Sequence, residues 1–472
     1  MKQYPGYTLV KREDCPEQHG TLTVLTHDVS GAAVLLVEND DDNKAFGIGF
    51  GTFPSDDTGV FHILEHSVLA GSEKYPVKSP FLQLLKSSMA SFLNAMTFPD
   101  KTVYPFATPN ETDFKNLMDV YLNAVFCPLA MVDKGVFEQE GWHRDEDGTV
   151  SGVVYNEMQG ALATPDAQLQ NALSRAMFPD TAYGFVSGGD PASIPALTYE
   201  KYVRVYRRHY SADNCCITLY GKMDMAEKLA FLDKQYLSRM PKSASRPRLT
   251  VQDEQVGAKR NIPYYTEKPE PDEAQCALAW YTGAFSDRER SWAWRSCWTL
   301  LGTNQAPLKA ALLEEKLGAD IDVGFDDSTL QPTLELVLRG ATEESAGKFA
   351  AAVRKAVDGI LEKGIPEELL MASLNSTEFA SLERPGSIPD GVLDASMHLQ
   401  AGSTPATRPC CSTRTLCSLP CGKSWNRAGS MSCCGSCSRL RRWRSSRCRP
   451  CPGKRKRGAP PAPTASWCWT IR

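Results

Sequence analysis

The last acidic residue of this 472-residue chain is Asp394, and that boundary limits what can fold. Beyond Gly402 come 15 Lys or Arg and ten Cys, strung together with Pro and Ser and with no Asp, Glu or apolar period. A stretch with no apolar face has nothing to bury, so residues 403–472 are expected to be unstructured. Two C-x-x-C pairs, Cys434 with Cys437 and Cys448 with Cys451, hint at a metal tail. The ten residues between them fall short of the roughly 15 to 20 of a zinc ribbon. The run KRKR at 454–457 is the mark of a nucleic-acid or targeting patch. Out-of-frame reading of G+C-rich DNA also yields an excess of Arg, Pro, Cys and Ser. Codons for Ala406 to Thr415 shifted by one base can read GDPALLLHED, an acidic and apolar mixture like that of the body. The tail is therefore expected to be frameshifted.

The 402 residues before the break hold 37 Lys or Arg against all 56 Asp and Glu, so this body carries −19. Such a balance argues against nucleic acid as its partner. Six scattered Cys (Cys15, Cys127, Cys215, Cys216, Cys276, Cys297) read as buried thiols in a reducing compartment rather than a disulfide frame. No window reaches the roughly 18 consecutive apolar residues of a membrane span. The start, MKQYPGYTLVKRED, has neither a secretory nor a transit pattern, so a bacterial-type cytoplasmic location is expected, with no membrane partner.

Residues 31–53 read as strand, acidic turn and strand, a hairpin. In the segment 111–128, Phe114, Leu117, Met118, Tyr121, Leu122, Val125 and Phe126 fall on one helical face that ends at Cys127-Pro128. CCITLYG is a further strand, closing a first domain over 1–239. Pro, Lys and Glu without periodicity mark a linker over 240–260. A second domain over 261–402 holds the strand TLELVLRG. Its long helix is marked by Phe349, Val353, Ala356, Val357, Ile360 and Leu361 and stopped by Gly364 and Pro366. Hairpins mixed with amphipathic helices in both halves give an α+β class.

Within GVFHILEHSVLAGS, His62 and His66 are one helical turn apart, and Glu65 shares their arc. Two imidazoles so spaced can hold one zinc ion, and a neighbouring carboxylate can take a proton from water. H-x-x-E-H is a known catalytic pattern, yet the same five residues also fit an apolar helix with polar residues on its rim. A third ligand is required, and Glu138, Glu140, His143 and Glu157 are all candidates. Glu157 lies among Val153, Val154, Met158 and Leu162, where an unpaired carboxylate would be costly unless it faces water.

TGVFHILEHSVLAGSEKYPVKSPF, SFLNAMTFPDKTVYPFAT, FEQEGWH and GVVYNEMQGAL together resemble the presequence-protease branch of the pitrilysin/insulinase (inverzincin) metallopeptidases. The resemblance runs from about residue 5 to residue 402. It implies that His62, His66 and Glu157 bind one zinc ion and that Glu65 is the general base. It also implies that Asn94 and Ala95 lie on an edge strand holding a peptide in extended form. The implied fold is tandem antiparallel-sheet-plus-helix domains, the second a metal-free repeat of the first; 261–402 contains no second H-x-x-E-H. The implied activity is zinc-dependent endoproteolysis of small or unfolded peptides, and the alternative is a non-catalytic peptide-binding or partner subunit of the same fold. Members of the family are about twice as long, their C-terminal half supplying an Arg and a Tyr opposite the zinc. This chain is thus expected to be an N-terminal half, weak or inactive alone and in need of a separate C-terminal half.

Overall fold

The computed structural model describes residues 4–15, 18–243, 246–253, 259–262, 274–382, 386, 388–398 and 467–471. The described residues divide into two compact units, one drawn from 1–252 and 385–412 and one drawn from 253–384 and 413–472. Among the described residues no helix is long and apolar enough to cross a membrane.

The first unit opens with β1 (Tyr7–Cys15), β2 (Gly20–His27), β3 (Ala33–Glu38) and β4 (Lys44–Gly51). Helices α1 (Val60–Val68) and α2 (Pro80–Ser87) lead to the short strands β5 (Phe92–Leu93) and β6 (Met96–Thr97), then β7 (Lys101–Thr108). Next come α3 (Glu111–Phe126), α4 (Lys134–Glu140), β8 (His143–Arg144), β9 (Val150–Ser151), α5 (Val153–Ala161) and α6 (Pro165–Met177). The series ends with α7 (Tyr199–His209), β10 (Cys215–Tyr220) and α8 (Met225–Gln235). The main sheet runs β1-β2-β3-β10-β4-β7-β5, with β6 also on β7. Helix α3 is capped by Asn110, whose side chain accepts from the Asp113 N–H.

The hairpin expected over 31–53 does not form. Both strands exist, but β10 lies between them, parallel to β3 and antiparallel to β4. Alternation along a segment shows that strands are present, while the insertion of a third strand from residue 215 onward has no local signature. The central strands are mostly apolar on both faces because both faces are covered. Val34 and Leu36 pack with Phe46, Ile48, Tyr104 and Phe106 against α1 and α3. Leu35, Val37, Ala45, Val103 and Cys216 point the other way, into a separate cluster.

The second unit comprises β11 (Lys259–Ile262), β12 (Ala274–Tyr281), α9 (Arg288–Gly302), α10 (Pro307–Glu314), β13 (Asp320–Asp326), β14 (Thr333–Ala341), α11 (Glu343–Lys363) and α12 (Glu367–Leu382). Its sheet is antiparallel over β12, β14 and β13. A reciprocal cap between Thr342 and Ser345 starts α11, and Gly364 ends it. Phe349 and Val353 of its expected apolar face are buried, whereas Val357 and Leu361 are exposed.

Three boundaries differ from the sequence reading. Helix α13 (Asp390–His398), inside the span 261–402 expected to be the second domain, belongs to the first unit. There its Val392 enters the cluster that covers the second sheet face, and Asp394 accepts from Gln18. Gly47 permits the approach, since a Cβ on it would lie 2.4 Å from that of Ala395. In the expected linker, Gln252 is buried and bonded to Asp180, and β11 begins at Lys259. Finally, Trp467–Ile471 of the tail forms a strand, β15, beside β11 and β12, although no packed element was expected there. Its aromatic and β-branched residues suit a strand, a local signal submerged in the tail's average composition. Residues 403–466, with both C-x-x-C pairs and KRKR, lie outside the described residues.

Candidate metal centre

Helix α1 packs Phe61, Ile63, Leu64 and Val68 into the core, which leaves His62, Glu65 and His66 on the remaining arc. The imidazole rings are 4.9 Å apart, edge to face. Val154 and Met158 anchor α5 in the same core, and Glu157, more than half exposed, turns the other way. Its Oε2 lies 3.7 Å from Nε2 of His62 and 3.7 Å from Nε2 of His66. One ligand atom from each of the three residues falls within 4.8 Å of the others.

Of the other candidates for a third ligand, Glu140 at the end of α4 meets His66 from behind, its Oε2 3.6 Å from Nδ1. Glu138 pairs with Lys134 at the surface. His143 donates to the Glu138 carbonyl and faces Ser151 and Asp145, a local cluster of its own. Asn94 and Ala95 sit between β5 and β6 at the open edge of the sheet, with Asn94 N–H donating to the Pro105 carbonyl. Phe92 and Met96 flank them, both half-buried.

Partners that sequence reasoning missed complete the site. His62 Nδ1 donates to the Gly188 carbonyl at 3.0 Å. Because a carbonyl only accepts, a neutral His62 carries its proton on Nδ1 and presents the Nε2 lone pair toward Glu157. Thr97 Oγ1 donates to Glu65 Oε2 at 2.7 Å. The one sequence hint to Thr97 was its place two residues after Ala95.

Burial works against a charged His66, but the hydrogen bond to Glu140 and the charges of Glu65 and Glu157 outweigh it, so its pKa is raised. Three carboxylates thus surround two imidazoles, an arrangement relieved by a cation. Around a tetrahedral zinc, N and O ligands at about 2.0–2.1 Å lie roughly 3.4 Å apart, against 3.7 Å from Glu157 Oε2 to each imidazole and no more than 4.8 Å across the set. The donor set therefore fits zinc.

Residues 47–184 match the family model described as "Insulinase (Peptidase family M16)", and residues 196–376 match "Peptidase M16 inactive domain". The chain belongs to the insulinase family. Within that family it falls in the presequence-protease branch. It is 38% identical over 415 residues to presequence protease 1 of Arabidopsis thaliana, covering 82% of this chain and 37% of that protein. It is 38% identical over 400 residues to protein HypA of Clostridium perfringens, covering 83% and 41% respectively. The chain thus spans about two-fifths of the length of these relatives. In fold it resembles pitrilysin, with TM-score 0.63 and 16% identity over 99% of this chain and 46% of that one. A protease from Helicobacter pylori is matched over 98% of this chain and 100% of its own length, with TM-score 0.66 and 13% identity.

Proposed function

We propose that this chain is a zinc-dependent endopeptidase domain acting on small or unfolded peptides. The observation that carries the reading is the meeting of His62, His66 and Glu157 with Glu65 beside them. A zinc ion on those three side chains would supply Lewis acidity, polarising the scissile carbonyl and making water acidic. Thr97 occupies Oε2 of Glu65, which leaves Oε1 to take the proton of the attacking water. As the C–O bond forms and the C–N bond breaks, Glu65 delivers that proton to the leaving amine. The main-chain groups of Asn94 bond Pro105 and the Tyr121 hydroxyl, so an extended peptide would add as a strand along the open sheet edge through Ala95, beside Asn94.

In Glu65→Gln we expect zinc content to be retained and peptide cleavage to fall on the order of 10²–10⁴-fold. Unchanged cleavage would overturn the assignment of the base. A second reading, a non-catalytic peptide-binding or partner subunit, draws support from the chain spanning only about two-fifths of the length of its relatives. Metal analysis separates the two, since about one zinc per purified chain fits the peptidase and none fits the binder. Because the chain spans only part of its relatives, a separate C-terminal half completing the site is part of the proposal.

A further inference from the structure

We propose that residues 185–190 form a latch that fixes His62 as a metal ligand, fastened by the ion pair of Asp57 with Arg175. The inference rests on the zinc reading and concerns residues that no helix of the motif contains.

The latch has three attachments. Its Gly188 carbonyl holds Nδ1 of His62 at 3.0 Å. Asp57, just ahead of α1, accepts the Val186 N–H on Oδ1 at 2.8 Å and the Asp190 N–H on its main-chain carbonyl at 2.8 Å. Arg175 of α6 then binds Asp57 Oδ2 at 2.9 Å and reaches Asp190 Oδ2 at 3.7 Å. The segment is therefore tied to the residues that start α1 and fastened from outside by α6.

The fit leaves no room for side chains. Gly59, which caps α1 at φ 64°, would drive a Cβ to 2.6 Å from the Gly188 oxygen. A Cβ on Gly188 would lie 2.7 Å from Sδ of Met158, the residue after Glu157. The latch thus touches both helices that carry ligands, and a displacement of Gly188 is felt by both.

His62 and His66 are held differently. A carboxylate, Glu140, backs His66, whereas a neutral carbonyl backs His62. A carbonyl gives less electrostatic support than a carboxylate, so His62 depends on where that carbonyl is placed, and Asp57 with Arg175 sets the place.

The test measures zinc affinity by competition with a chromophoric chelator and the melting midpoint of the metal-free protein. Asp57→Ala is expected to weaken zinc binding about 10–100-fold, the range for partners behind a ligand. Arg175→Met is expected to weaken it roughly three- to tenfold and Arg175→Lys to restore most of the loss, with metal-free midpoints nearly unchanged. The Arg175 side chain is 42% exposed, so its replacement leaves the fold intact should Asp57→Ala not fold. Affinities within twofold of the unaltered protein in both Asp57→Ala and Arg175→Met would overturn the latch while leaving the zinc site standing. Absence of zinc from the unaltered protein would overturn the zinc reading and the latch with it.

Discussion

The two units trace one path with different chemistry. In the first, β4, α1, α2, β6, β7 and α3 follow in order, with β4 and β6 both antiparallel to β7. In the second, β12, α9, α10, β13, β14 and α11 follow in the same order, with β12 and β13 both antiparallel to β14. The helix after the first strand differs in kind. VFHILEHSV of α1 turns two imidazoles and a carboxylate away from the core, whereas α9 reads RERSWAWRSCWTLLG. Several polar groups of α9 take structural partners: Arg295 pairs with Asp327, Arg288 lies over Phe285, and Trp298 Nε1 donates to the Val323 carbonyl. The path places a helix against a sheet, and residue types alone decide whether it holds a metal.

The comparison breaks most sharply if α1 is made as inert as α9. His62→Ala should weaken zinc binding by well over the roughly 100-fold upper range for a partner behind a ligand, and peptide cleavage should vanish. The fold should persist, because the second unit keeps the same path without the motif. Surviving cleavage in a peptide assay would place the chemistry elsewhere.

The next effect concerns acid. All seven histidines lie in the first unit. Burial pushes His209 down to about 4, and its ring packs 4.8 Å from that of Phe61. Unfolded, this histidine takes its proton near 6.5, while folded it resists until about 4. Stability is therefore lost as pH falls through that window, by about 3 kcal/mol at the limit. The raised pKa of His66 acts oppositely in the metal-free protein, its contribution being present below about 6.5 and lost as pH rises through the folded value. Proteolysis in urea at pH 7 and pH 4.5, with fragments identified by mass, should show the first unit opening earlier at the lower pH. His209→Gln should flatten the difference; equal acid sensitivity in that variant would exclude His209 as the cause.

What was legible in the sequence was whatever repeats locally. The helical face of α3, the stop of α11 and the apolar run of β10 each announce themselves within 20 residues or so. The same holds for His62, Glu65 and His66, which one helical turn brings together. Illegible were contacts between distant segments without periodicity: β10 entering between β3 and β4, α13 returning to cover the first sheet, and Gly188 reaching His62 across 126 positions. His143 shows the converse. It is near Glu140 in sequence and of the right type, yet Ser151 and Asp145 turn it into a hairpin cluster.

The smallest expected effect tests the link between helix and edge strand, which also differs between the units. In the second unit α9 meets β13 through Trp298 and the Val323 carbonyl, a static bond. In the first, α1 meets β6 through Glu65 and Thr97, so the residue that orients the base sits on the strand where a peptide would add. Thr97→Val removes the one hydroxyl on Oε2 and frees the carboxylate to turn, while the backbone edge at Asn94 and Ala95 stays in place. We expect kcat to fall roughly tenfold, since a hydrogen bond to a charged group is worth about 1.5–3 kcal/mol and water recovers part of it. KM and zinc affinity should hold within about twofold, unlike the latch variants, and Thr97→Ser should restore kcat because it keeps the donor. If Thr97→Val instead raised KM with kcat intact, Thr97 would act on the peptide rather than on Glu65, and the strand would bind substrate without aiming the base.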